Sequence, residues 1–72
     1  MILKPGTLVT IARNAMLISR YVPGYGAFGA RQFMWNGNVC IIISAMKETT
    51  TNIYYVLTPS RICWIYEYDI EQ

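Results

Sequence analysis

An all-β domain is the fold class this sequence predicts, and three observations predict it. Short runs rich in β-branched and aromatic residues recur at positions 7–11, 38–44, 53–57 and 62–66, each too short for a helix. Turn chemistry separates them: Lys4-Pro5-Gly6, Asn36-Gly37, the polar stretch KETTTN at 47–52, and Thr58-Pro59-Ser60-Arg61. The chain has only 72 residues. That length allows one domain, residues 1–72, and excludes a TIM barrel, a doubly wound sheet and a full immunoglobulin sandwich. A sheet closed on itself hides most of its edges and needs fewer residues than two packed sheets. The expected architecture is a small, strongly bent antiparallel barrel of five short strands, with one long loop after the first.

Taken in order, the Pro5-Gly6 turn feeds Thr7-Leu8-Val9-Thr10-Ile11, a first strand with Val9 and Ile11 on one face. Residues 12–21 fit a short helix or an irregular strand. Residues 14–38 hold four of the five glycines and, as charges, only Arg20 and Arg31. Asn38-Val39-Cys40-Ile41-Ile42-Ile43-Ser44 is the clearest strand, and its apolar residues on both faces predict burial on both sides. Ile53-Tyr54-Tyr55-Val56-Leu57 follows a hairpin loop, Ile62-Cys63-Trp64-Ile65-Tyr66 follows a turn, and Glu67-Tyr68-Asp69 reads as one short turn before Ile70. By alternation Tyr54 and Val56 oppose Ile53, Tyr55 and Leu57, while Trp64 and Tyr66 oppose Cys63 and Ile65. A barrel this small cannot hold every aromatic between 54 and 68, so one row must lie outside.

The composition is 54% apolar and 14% charged, against roughly a quarter charged in a typical soluble domain. So little charge on so much apolar surface predicts that another molecule covers part of it. The abundance of Ile, Tyr and Trp excludes disorder. Net charge is +2, yet residues 1–66 carry six cations against Glu48 alone, a local +5, and the other three acids fall at 67, 69 and 71. The cations are dispersed, which favours solubilisation over a polyanion-binding face. Cys40 and Cys63 sit in apolar strings and read as buried thiols, bridged only if their strands adjoin. With no histidine and no Cys-x-x-Cys, neither a zinc site nor a cofactor is expected. The opening MILKPG is broken too early for a signal peptide, and no apolar run approaches the 18–20 residues of a membrane span. The default expectation is a soluble intracellular product with no membrane partner.

The succession KPGTLVTI, a long loop, NVCIIIS, a polar loop, NIYYVL, a tight turn and RICWIYEYDIE resembles an SH3-like barrel. In that class one turn of 3₁₀ helix separates the last two strands, the place Glu67-Tyr68-Asp69 would take. Within it, Gly6-x-Leu8-Val9 with Tyr55-Val56-Leu57, Arg61-Ile62 and Trp64-Ile65-Tyr66-Glu67-x-Asp69-Ile70-Glu71 is similar to small SH3-like proteins of tailed bacteriophages. The likeness covers residues 4–11 and 38–71; the loop from 14 to 35 departs from it by being longer and far more apolar. The resemblance implies a five-stranded SH3-like barrel serving in binding or virion assembly, located in the virion or host cytoplasm, with no catalytic residues.

The residues themselves offer little chemistry. Gly24-Tyr25-Gly26-Ala27-Phe28-Gly29 matches G-x-G-x-x-G, but Pro23 breaks the lead-in and no βαβ unit could hold a dinucleotide. The simpler reading is a loop in which glycines supply positive φ and aromatics supply contact area. Without histidine, Ser19, Ser44 and Ser60 have no evident base, and no enzyme is expected. The expected function is a structural interaction module, an accessory virion protein of capsid, head vertex, neck or tail. It would dock on a protein partner through Tyr21, Tyr25, Phe28, Phe33 and Trp35, with self-association a further option. The alternative is a nucleic-acid-binding barrel using Arg13, Arg20, Arg31 and Arg61 with Trp64 as a stacking platform. A peptide-binding adaptor is a third and weaker reading.

Overall fold

Gly6 adopts φ +89°, and its N–H donates to the Ile42 carbonyl at 2.7 Å, so the chain enters the sheet already paired. The computed structural model describes residues 2–12, 15–32, 39–47, 50–59 and 61–71. Its strands are β1 (Leu8–Ile11), β2 (Met16–Leu17), β3 (Arg20–Val22), β4 (Gly26–Phe28), β5 (Arg31–Gln32), β6 (Val39–Lys47), β7 (Asn52–Leu57), β8 (Ile62–Tyr66) and β9 (Ile70–Glu71). A 3₁₀ turn, Glu67–Asp69, separates β8 from β9. Five strands form one antiparallel sheet in the order β8-β7-β6-β1-β9, curled into a half-barrel. The protein is all-β, as its turn-punctuated apolar runs predict.

The alternation read from the sequence decides which side chains fill the curl. Val9 and Ile11, Cys40 and Ile42, Tyr54 and Val56, and Cys63 and Ile65 all point inward and are buried. Tyr55, Leu57, Ile62, Trp64 and Tyr66 take the outward face, so the expected surplus row is there. The Tyr54 hydroxyl accepts the Leu3 N–H at 3.1 Å and donates to Glu67 Oε1 at 3.0 Å, while Asn52 Nδ2 donates to the same oxygen at 3.2 Å. This satisfies the one polar group that the inner row brings with it. The turn before β8 is closed by Thr58, whose Oγ1 donates to the Arg61 carbonyl at 2.8 Å and accepts the Arg61 N–H at 3.0 Å.

Two expectations are corrected. The long first loop is largely strand: β2 pairs with β5 and β3 with β4, giving two nested antiparallel pairs that form an arm. Its tip is a turn in which the Tyr25 N–H donates to the Val22 carbonyl at 2.9 Å, with Pro23 second and Gly24 third at φ +84°. Those are the residues a type II turn requires. Gly29, at φ +67°, stands so close to Ser19 that a Cβ would lie 3.0 Å from its Oγ. Local turn chemistry thus folds a stretch whose glycine content reads as loop. The second correction concerns β6. Cys40 and Ile42 are buried, but Val39, Ile41 and Ile43 are exposed, because among the described residues no second layer covers that part of the sheet.

Cys40 and Cys63 are free thiols in the core. Burial pushes the Cys40 thiol from its ordinary 9.0 up to about 11, with Cys63 nearby adding to the rise, and burial raises Cys63 as well. Since the folded state holds these protons more tightly, the stability they contribute is complete below the ordinary thiol pKa. It is lost as pH climbs from 9.0 through about 11. Urea unfolding followed across that window should show a falling midpoint, with a shallower fall in Cys40→Ala. The native thiols should also react with a disulfide reagent at least ~100-fold more slowly than the unfolded chain at pH 8. Equal rates in the two states would place these side chains outside the core.

Candidate functional site

The inner pair of the arm sets Arg20 opposite Phe28, Tyr21 opposite Ala27 and Val22 opposite Gly26. Successive residues of a strand face opposite ways, so Tyr21 points one way and Arg20 and Val22 the other. Tyr21 is buried with Ile18 and Ile53, and its ring centroid lies 5.6 Å from that of Trp64. The arm is also tied by backbone: Ile18 N–H donates to the Trp64 carbonyl at 2.9 Å, and Trp64 N–H donates back at 2.8 Å. At the arm's base Asp69 accepts the Ala12 N–H on its carbonyl at 2.8 Å and the Met16 N–H on Oδ2 at 3.2 Å. The 3₁₀ turn and β8 therefore position the arm.

With Tyr21 turned inward, the opposite flank of the arm is left to solvent. Arg20, Val22, Tyr25 and Phe28 line an almost wholly apolar hollow of about 390 Å³. Tyr25 is 83% exposed and Phe28 50%. A second hollow of about 410 Å³ lies on the other side of Tyr25, between Tyr21, Pro23, Gly24, Gly26, Met46 and Lys47. Tyr25 thus borders two concavities on a tied support, and each is also lined by a cation, Arg20 in the first and Lys47 in the second. An exposed ring with a polar tip offers contact area at low conformational cost, which suits a protein partner.

Of the residues expected to meet a partner, Tyr25 and Phe28 come together at this tip. Tyr21 serves the attachment of the arm, and Phe33 and Trp35 lie outside the described residues. Val22 belongs to the tip as well: two positions from Arg20 on β3, it shares that residue's face, while Tyr21 between them takes the other. Among the alternative set, Arg20 joins the hollow and Arg31 lies opposite Leu17 on β5. Arg61 stands at the β7–β8 turn, and Arg13 lies outside the described residues. Trp64 is half-buried, packed against Tyr21 and, at a centroid distance of 4.8 Å, against Tyr55.

Among the described residues no group of three or more His, Cys, Asp or Glu side chains is placed to hold a metal ion. Nor do they contain a helix long and apolar enough to cross a membrane. Comparison with known proteins returns no match: no family model, no curated protein and no solved structure aligns significantly with the chain.

Proposed function

We propose that this chain is a non-enzymatic interaction module built on an SH3-like barrel, docking on a larger assembly through the tip of its arm. The observation that carries the reading is Tyr25, exposed and bordering two hollows, with Phe28 and Val22 beside it on a support anchored by Tyr21 and Trp64. The strand order β9-β1-β6-β7-β8, the arm between its first two strands in sequence and the 3₁₀ turn before the last support the SH3-like assignment. The likeness of residues 4–11 and 38–71 to small phage proteins makes a virion accessory role, at capsid, head vertex, neck or tail, the most concrete form of the proposal. The low charge agrees with a surface that is covered in use.

A second reading, nucleic-acid binding, draws on Arg20 beside the aromatic tip. It is the weaker, since Trp64 packs against two tyrosines and the cations Arg20, Arg31 and Arg61 stand on separate elements. A Tyr25→Ala/Phe28→Ala variant should keep the wild-type far-UV spectrum and lose at least ~100-fold in affinity for phage particles or heads lacking this protein. Unchanged co-sedimentation would refute docking through the tip. A titration against single-stranded and duplex DNA tests the second reading, which predicts binding at low salt that falls steeply as salt is added.

A further inference from the structure

The apolar hollow at the arm tip owes its shape to a missing side chain. Arg20 and Phe28 stand directly opposite each other across β3 and β4, and Val22 stands opposite Gly26. Directly paired residues project from one face, as do residues two apart on a strand. Arg20, Val22 and Phe28 therefore share a face in which Gly26 leaves a gap, and a Cβ built there would meet nothing within 4 Å. Tyr25, from the turn, completes the lining. The resulting space of about 390 Å³ lies at the small end of ligand pockets, roughly 300–1,000 Å³. It has room for one large apolar side chain.

The lining is almost wholly apolar even though Arg20 belongs to it, so the arginine contributes its methylenes and carries its guanidinium past the hollow's surface. Arg20 is exposed, and among the described residues no carboxylate pairs with it. The described acids are engaged elsewhere: Glu67 with Asn52 and Tyr54, Asp69 with the Met16 N–H, while Glu71 lies opposite Thr10 on β9. Residues 15–32 hold Arg20 and Arg31 and no acid at all. We propose that the hollow receives a leucine- or phenylalanine-sized side chain of a partner protein, and that an Asp or Glu beside it in the partner's sequence pairs with Arg20. Charge complementarity selects this occupant. A guanidinium takes a carboxylate through two parallel N–H···O bonds, and a basic segment would be repelled. A nucleic-acid strand would need a run of cations along its backbone. Among the described residues Arg20 is the only cation that lines this hollow.

The proposal rests on docking through the arm tip and adds the chemistry of what docks. Short peptides with one central leucine, flanked by glutamates, glutamines or lysines, probe it in titrations that follow the amide signals of the full, isotope-labelled chain. The glutamate peptide should shift Val22, Tyr25 and Phe28 and bind at least ~10-fold more tightly than the glutamine peptide. Arg20→Glu should reverse the preference, favouring the lysine peptide over the glutamate one. Arg20 is exposed, and loss of the fold would abolish binding rather than reverse it. No shift at ~1 mM glutamate peptide overturns the proposal. Equal affinity for the glutamate and glutamine peptides does so too, as does single-stranded DNA that shifts these residues where the glutamate peptide does not. In co-sedimentation with assemblies lacking this protein, Arg20→Glu should weaken docking at least ~10-fold. An Arg20→Glu chain that docks normally where Tyr25→Ala/Phe28→Ala does not overturns the acidic occupant and leaves tip docking standing. If both variants dock normally, docking through the tip falls as well.

Discussion

Tyr54→Ala should leave the chain unfolded at 25 °C. Among the described residues Tyr54 is the largest fully buried side chain. Truncating an aromatic residue of this kind costs about 3–5 kcal/mol, and the core of a domain this small supplies about 3–5 kcal/mol in all. The cavity would open where β7 crosses the middle of the half-barrel, between Ile65 of β8 and the inner residues of β6. Tyr54→Phe separates ring from hydroxyl. It deprives the Leu3 N–H of its acceptor and Glu67 of one donor, a loss of about 1–3 kcal/mol that should lower the urea midpoint of a chain that still folds. Far-UV circular dichroism with urea unfolding distinguishes the three proteins. A Tyr54→Ala chain within about 1 kcal/mol of wild type would contradict the placement of this ring.

The second large effect is local. Trp64→Ala removes the surface on which Tyr21 and Tyr55 pack, and with it one of the side-chain contacts that hold the arm. Trp64 is only half-buried, so the global loss should be about 2–3 kcal/mol, below the range for a fully buried tryptophan. The arm should suffer more than the barrel. Exchange of the Ile18 amide, bonded to the Trp64 carbonyl, should rise at least ~10-fold beyond what the global loss explains, and the Tyr25 amide at the tip should follow it. The Val56 and Cys63 amides should change only with global stability. Uniform acceleration at all four sites would mean that the arm is not held through Trp64.

Much of this architecture is legible in the residues because the strands obey period-2 alternation between clear turn signals. Alternation alone separates Tyr54 and Val56 from Tyr55 and Leu57, and correctly requires an aromatic row outside the barrel. The turn at Glu67–Asp69 is legible as a short polar interruption between the apolar run ending at Tyr66 and Ile70. The arm is not, because Gly24, Gly26 and Gly29 depress strand propensity, and the pairings of β2 with β5 and β3 with β4 depend on a turn and on docking against Trp64. Burial of β6 is misjudged for a related reason: an apolar strand reads alike whether its second face is covered within the chain or left for another molecule. At the candidate site, Tyr25 and Phe28 stand out as aromatics in a glycine-rich stretch. Tyr21 looks the same in sequence and differs only in the side of β3 it occupies.

Hydroxyl-radical footprinting of the isolated chain and of the assembly purified from its native source tests the docking claim most directly. Tyr25 and Phe28 should be oxidised readily in the isolated chain and protected at least ~10-fold in the assembly, while Tyr68, exposed on the 3₁₀ turn, should react alike in both. Equal oxidation of Tyr25 and Phe28 in the two states would contradict the account, since the arm tip would then face solvent where the protein works.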